Sequence, residues 1–484
     1  MKQQLWKTSS ALLLTLSLFA CEGGGITGTG FKDQAVGVIT GFGSVLVNGI
    51  KFETNNTKVT IDDIENALET ELKVGMIVNI QGEIDENGLA GFAKSITYSD
   101  DVEGTVLANN TSVDNTLNIM GQTIIVSPET VFGSQIDTIT RVDEIQTGNI
   151  VEVSGFNSGD GFIYATRVEV KKLAHTSGEA IEVSGLIKSL DTQVFLIGDM
   201  TVDYRSAELV NIPSNQLLND MFVEVRSTEG IDTVSNRLIA SRIKLEGDGK
   251  KKYRLEKGQE IELEGVVADY NATAQTFNLN GQTVVVSSTT EFKPQGAVLR
   301  DGAKLSVNGS INAKDELLAE EIEIRAEANL KVQAYVEWVD STAHSFKLLN
   351  RTFLTTNTSV FNDERNDGFE PVRYMNLDHL RENDFVEVSA YYDEAEDILI
   401  ATHIERDDPE FTLSNASQQW VEINGLVAEN HLPDLTSIKI SGITIDISQM
   451  SAEDQANYIV GKQVEIMGYY DEVTHLVIAS PNEP

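Results

Sequence analysis

The chain has 484 residues, 75 of them acidic against 36 basic, for a formal net charge of −39, with 41% hydrophobic residues and a single cysteine. That length exceeds one ordinary hydrophobic core and asks for several domains. So acidic a field repels phosphate backbones and anionic lipid surfaces, which argues against nucleic acid as a partner, and one cysteine leaves no disulfide to form within the chain.

Residues 1–20 start basic at Lys2 and Lys7, run apolar from Ala11, and end Leu18-Phe19-Ala20 ahead of Cys21. This is the layout of a secretory signal peptide, too short to span a bilayer. A cysteine behind a small residue at the end of such a run resembles the lipobox of bacterial lipoproteins, which implies that Cys21 carries lipid and becomes the mature N-terminus. Removing Lys2 and Lys7 leaves 34 basic residues and a mature charge of −41. Glu22 stands where an aspartate would resemble an inner-membrane retention signal, so the outer membrane is the expected location. Residues 21–36 are Gly-rich and form a flexible tether, about 20 Å root-mean-square in span.

From residue 37 onward one pattern is written six times. It opens at Gly37-Val38-Ile39, Gly104-Thr105-Val106, Gly185-Leu186-Ile187, Gly265-Val266-Val267, Ala334-Tyr335-Val336 and Gly425-Leu426-Val427, spacings suited to small domains rather than solenoid coils. Next comes a hairpin turning at Asn48-Gly49, Met120-Gly121 or Asn280-Gly281, flanked by alternating apolar residues, because both turn positions must accept positive φ. The third and sixth copies carry Gly198-Asp199 and Ser441-Gly442. The fifth, Leu349-Asn350, lacks the glycine, and its turn is expected to be the loosest. The second half supplies a period-two strand of the form Gly-x-x-Val-x-Val-x-Gly, as in Gly148-Asn149-Ile150-Val151-Glu152-Val153-Ser154-Gly155, and a closing strand with alanine three before isoleucine or valine, such as Ala93 and Ile96. A short helix fits between the halves, over 61–72 or after the capping box at Ser451.

Strand, hairpin, short helix and two further strands predict an all-β chain: a tandem array of about six small OB-like five-stranded barrels, each with a short helix. The expected units are 37–100, 101–175, 181–247, 260–328, 331–408 and 419–484, separately cored and strung like beads. Between the third and fourth lies a basic run, Lys250, Lys251, Lys252 and Arg254. It is expected to be a solvated hinge and the first tryptic site, or else an electrostatic contact for acidic loops of neighbouring copies or for lipopolysaccharide phosphate.

The repeated order of Gly-x-Ile/Val, apolar-x-apolar-Asn-Gly, Val-Gly-x-x-Val-x-Val-x-Gly and Ala-x-x-Ile behind a lipobox resembles bacterial lipoproteins built from the domain-of-unknown-function family 5666. The resemblance covers nearly all of 37–480 and is weakest in the fifth copy. It implies fold and envelope location and carries no catalytic residues.

No nucleophile elbow, phosphate loop, zinc-helix motif, cysteine pair or calcium-loop spacing occurs. The six histidines sit at unlike positions of the repeat and fall short of a metal set, and carboxylate pairs such as Asp62-Asp63 and Asp407-Asp408 read as solvated loops. No catalytic residue, metal or cofactor is expected. Tyr335, Trp338, Tyr391 and Tyr392 form a candidate ligand face, since planar rings stack on sugars, against core packing as the plain alternative. The expected function is a membrane-anchored, non-enzymatic envelope module, binding or structural, facing the periplasm or cell surface. Its partners would be the membrane and an envelope protein or polysaccharide. The alternative is a carbohydrate- or cation-binding protein using exposed barrel faces, and a hydrolase is the remote third.

Overall fold

The computed structural model describes residues 33–480 apart from 43, 86–87, 158, 248, 250, 366–371, 373, 395, 410–418 and 431–435. The expected leader, Cys21, the tether and Lys250 therefore lie outside the described residues.

In the first repeat the opening strand Asp33–Gly41 pairs antiparallel with Val45–Val47, which turns at Asn48-Gly49 into Ile50–Glu53. Ile50–Glu53 runs parallel to the closing strand Ala90–Tyr98, which pairs antiparallel with Ile77–Ile84, and that strand returns to the opening one. The ring order 1-2-3-5-4-1 is the one expected of an OB-like barrel. The same ring closes in the copies opening at Gly104, Gly265 and Gly425. The third and fifth copies depart from the expected six. In the third, Val194–Ile197, Met200–Asp203 and Arg237–Ile239 form a three-stranded sheet of their own. In the fifth, the opening strand stops at Tyr335, and only the following Trp338–Asp340 meets the hairpin.

Local chemistry explains the recurring letters. Asn48 and Gly49 take φ of 54° and 77°, the primed turn that matches strand twist. The fifth copy keeps this geometry without glycine, placing Leu349 at 49° and Asn350 at 59°, so its turn is strained rather than loose. The glycine ending each Val-x-Val-x-Gly strand sits at a β-bulge, where a Cβ on Gly82, Gly155 or Gly309 would collide with a carbonyl oxygen of the closing strand. Beside the bulge the alanine carbonyl takes a side-chain donor instead. Thr57 Oγ1 donates to Ala93 O (2.7 Å), Thr130 to Ala165 O (2.8 Å), Thr290 to Ala319 O (2.8 Å) and Ser359 to Ala401 O (2.6 Å).

The expected short helices shrink to single 3₁₀ turns at Glu69–Glu71, Val142–Glu144, Pro213–Asn215 and Leu377–His379. Residues 61–72 hold a two-residue strand and one such turn rather than an amphipathic helix. At the last copy Ser451 caps Ala452–Gln455 by accepting from Asp454 N, as its sequence predicts.

The beads are not separate. Opening strands pair across copies: the first with the fourth in parallel (Asp33 opposite Glu260, Val36 opposite Leu263), the second with the third antiparallel, and the fifth with the sixth antiparallel. One hydrophobic core runs through copies two and three and another through five and six. Copy five also packs on copy one, where Val360 joins the first core and Phe42 meets Tyr374 edge-on at 6.1 Å. A small barrel of this size buries too little surface to stand firmly alone, and sharing an opening strand lends it a second core.

Candidate functional site

The densest cluster of titratable groups lies where copies one, two and three meet. Asp62 sits in a two-residue turn with Asp63, both at positive φ (45° and 68°), which carries them towards copy three. Asp100 and Asp101 form the link from copy one to copy two, and Glu182 lies on the opening strand of copy three. Carboxylate oxygens of Asp62, Asp100 and Glu182 all fall within 4.8 Å of one another, and Asp100 is 2% exposed. Asp100 N donates to Asp62 Oδ1 (3.2 Å), and Tyr98 Oη donates to Glu152 Oε1 (2.8 Å).

A ring of cations surrounds this core. Arg226 bridges Glu182 and Glu224, the latter at 2.7 Å, while Arg242 (3.3 Å) and Lys244 hold Asp63. Lys171 meets Glu152 at 2.6 Å. Lys252 Nζ reaches Asp101 Oδ1 (2.8 Å) and Ser99 O (2.9 Å), in a pair whose side chains are 4% and 0% exposed.

Like charges this close, out of water, cannot all ionise. Burial, then Glu152, lifts the Asp62 carboxyl to about 6, and burial, then Glu224, lifts Glu182 to about 7. Burial followed by Glu182 raises Asp100 well above the carboxylate range. Asp100 and Glu182 are hydrogen-bonded to each other, and the neutral form of the Asp100 carboxyl is favoured. The three oxygen donors are of the type a hard cation takes, and Asp62, Asp100 and Glu182 are the residues that would hold one.

The basic run is not a solvated hinge. Lys251 and Lys252 are both buried; Lys251 Nζ donates to Gln282 Oε1 (2.7 Å) and Asp315 Oδ2 (2.8 Å) in copy four. Arg254 stays exposed beside Glu256 at 3.3 Å. The aromatic face is not assembled either. Tyr335 pairs opposite Phe385, with the rings 5.1 Å apart, whereas Tyr391 and Tyr392 lie at the other end of the strand Phe385–Asp393, opposite Ile400 and Leu399 of its other neighbour. Six residues of strand, about 20 Å, separate the two ends. Trp338 is half-exposed near the Tyr335 end, and Tyr392 lies under the Arg351 guanidinium and donates to Asp397 (3.0 Å). Of the carboxylates, the doublets Asp62-Asp63 and Asp100-Asp101 are visible in the sequence, while nothing local marks Glu182 as their neighbour.

A family model described as a domain of unknown function (DUF5666) matches residues 36–97, 103–169, 264–323 and 333–405, together more than half of the chain. It includes the fifth copy, where the pattern is weakest by eye, and passes over the third and sixth. No curated protein matches the chain. Among solved structures, Drosophila Unr CSD456 aligns at 14% identity over 45% of this chain and 94% of its own, with a TM-score of 0.17. A multidomain protein with nucleic acid binding domains from Streptococcus pneumoniae TIGR4 aligns at 12% identity over 49% and 76%, with a TM-score of 0.13. Superpositions this poor carry no argument about function. Among the described residues no helix is long and apolar enough to cross a membrane.

Proposed function

The chain belongs to the DUF5666 family, and from that premise we propose that it is a membrane-anchored lipoprotein of the cell envelope, held at the outer membrane through lipid on Cys21 and acting as a non-enzymatic binding or structural module. Six copies of one OB-like unit form its body. The observation that supports the module reading is the pairing of opening strands across copies, first with fourth, second with third and fifth with sixth, which joins units up to 227 positions apart in sequence (Asp33 with Glu260) behind a Gly-rich leash. The anchor reading is supported by the basic start, the apolar run and the Ala20-Cys21 junction.

Fractionation and acyl labelling test the anchor. The wild-type chain should incorporate labelled palmitate and sediment with membranes, while Cys21→Ser should do neither. A wild type found unlabelled in the soluble fraction sinks the proposal.

A further inference from the structure

His403 lies in the strand Ile398–Asp407 with its side chain 4% exposed and its Nε2 buried without a hydrogen-bond partner. A buried ring nitrogen left unpaired costs stability unless something completes it. Its nearest charged neighbour is Glu405 two residues on, on the same face, with Oε2 3.8 Å away. This face of copy five is an interface. Ser389, opposite His403 in the ladder, donates to Pro128 O of copy two (2.6 Å), and Ala328 N donates to Glu129 Oε1 (3.1 Å).

We propose that Glu405 and His403 form a proton-held latch: the Glu405 carboxyl keeps its proton at neutral pH and donates it to Nε2 of His403, and this neutral pair holds copy five on the loop containing Pro128 and Glu129. A small side-chain rotation closes the 3.8 Å gap. Loss of the proton on alkalinisation leaves a largely buried carboxylate opposite Glu387 with only the long contact from Asn362 Nδ2 (3.5 Å), which draws water in and loosens the latch.

The surrounding groups favour the neutral acid. On copy five, Glu387 stands opposite Glu405, Asp407 and Glu364 flank it, and Lys331 pairs with Glu387 at 2.7 Å. Copy six presents Glu422. Copy four presents Lys304, shared between Glu129 of copy two and Glu264. Lys73 of copy one with Arg167 and Glu169 of copy two face Glu364. Carboxylates outnumber the cations left free to neutralise Glu405. Burial, then Glu387, raises its carboxyl well above 4.5, and burial lowers the His403 imidazolium to about 4.

The two shifts have opposite signs. The raised acid stabilises the fold fully below about 4.5 and loses that contribution as pH rises; the depressed imidazole stabilises it above 6.5 and loses that as pH falls towards 4. Between 4.5 and 6.5 they cancel. Above 6.5 only Glu405 titrates, and the latch weakens.

Hydrogen exchange of the whole chain at amides 129–131, corrected for intrinsic rates, tests this. Opening should rise with pH above 6.5, approaching at most tenfold per pH unit, the limit for loss of one proton. In Glu405→Gln, whose amide donates to Nε2 without titrating, that rise should vanish, and protection should instead fall between pH 6.5 and 4.5. Parallel pH profiles for wild type and variant overturn the latch. Should the variant fail to fold, the wild type alone decides: no pH dependence at 129–131 beyond that of a remote segment, 438–446, overturns it.

Discussion

Replacing Lys252 by methionine keeps most of the side-chain volume and removes the one cation that Asp101 meets at 2.8 Å. Both side chains are out of water, so the carboxylate would be left buried and uncompensated, at a cost of about 3–5 kcal/mol. Asp101 cannot swing out to solvent, because its Oδ2 also accepts from Gly155 N (2.9 Å) at the bulge of copy two. The cost should therefore appear as a lower urea midpoint at unchanged slope, followed by tryptophan fluorescence and by circular dichroism. Adding Asp101→Asn, which still offers an oxygen to Gly155 N, should recover the stability to within about 1 kcal/mol of wild type, since removing both charges of a buried pair is often near neutral. A single Lys252→Met variant within about 0.5 kcal/mol of wild type would refute the reasoning, as would a double variant no better than the single.

Glu182→Gln should flatten the stability profile around neutrality. The wild-type carboxyls of Glu182 and Asp62, raised to about 7 and about 6, contribute below about 4 and lose that contribution as pH climbs through 6–7, so the wild type should weaken against the variant by about 3 kcal/mol between pH 4.5 and 7.5. Gly82→Ala should lower stability by about 2 kcal/mol or more, because the added Cβ meets the Phe92 carbonyl and the bulge must shift, with chemical denaturation as the readout. Trypsin at native conditions should spare the bonds after Lys251 and Lys252, whose side chains are buried, while Arg254 is open to attack; early cuts at 251 and 252 mapped by mass spectrometry would contradict their burial.

The barrel was legible because its constraints are local: a primed turn wants Asn-Gly, a bulge wants glycine, and a pleated strand alternates. The partnering of barrels was not. Asp33 and Gln34 look like solvent-facing residues, yet they are 3% and 0% exposed, and Gln34 Nε2 is satisfied by Asn79 Oδ1 (2.9 Å) and by Arg254 O (3.0 Å), 220 residues away. No period in the opening strand encodes which other strand completes its hydrogen bonds. The same blindness misplaced the basic run: a charge cluster is ordinarily solvated, and only the buried acid Asp101 makes Lys252 an interior residue. It also misplaced the aromatic face, where Tyr335 and Tyr391 share one strand pair but the antiparallel register sets them at opposite ends. For the carboxylate cluster, only Asp62 was in view, and as part of a solvated doublet with Asp63; its place in a cluster depends on Asp100 and on Glu182, the latter arriving from a copy whose hairpin lacks Asn-Gly.

The claim on which the account turns is that distant repeats share one sheet, with Asp33 directly beside Glu260 in a parallel ladder. Neighbouring Cα atoms there stand at the roughly 5 Å spacing a disulfide spans, and replacing the two carboxylates also removes their mutual repulsion. In a chain carrying Cys21→Ser, Asp33→Cys and Glu260→Cys, mild oxidation should form an intramolecular disulfide within minutes, seen as faster migration on a non-reducing gel and loss of both free thiols. Thiols that stay reactive, with no mobility shift while each single-cysteine control folds, would contradict the shared sheet and return the chain to a string of independent barrels.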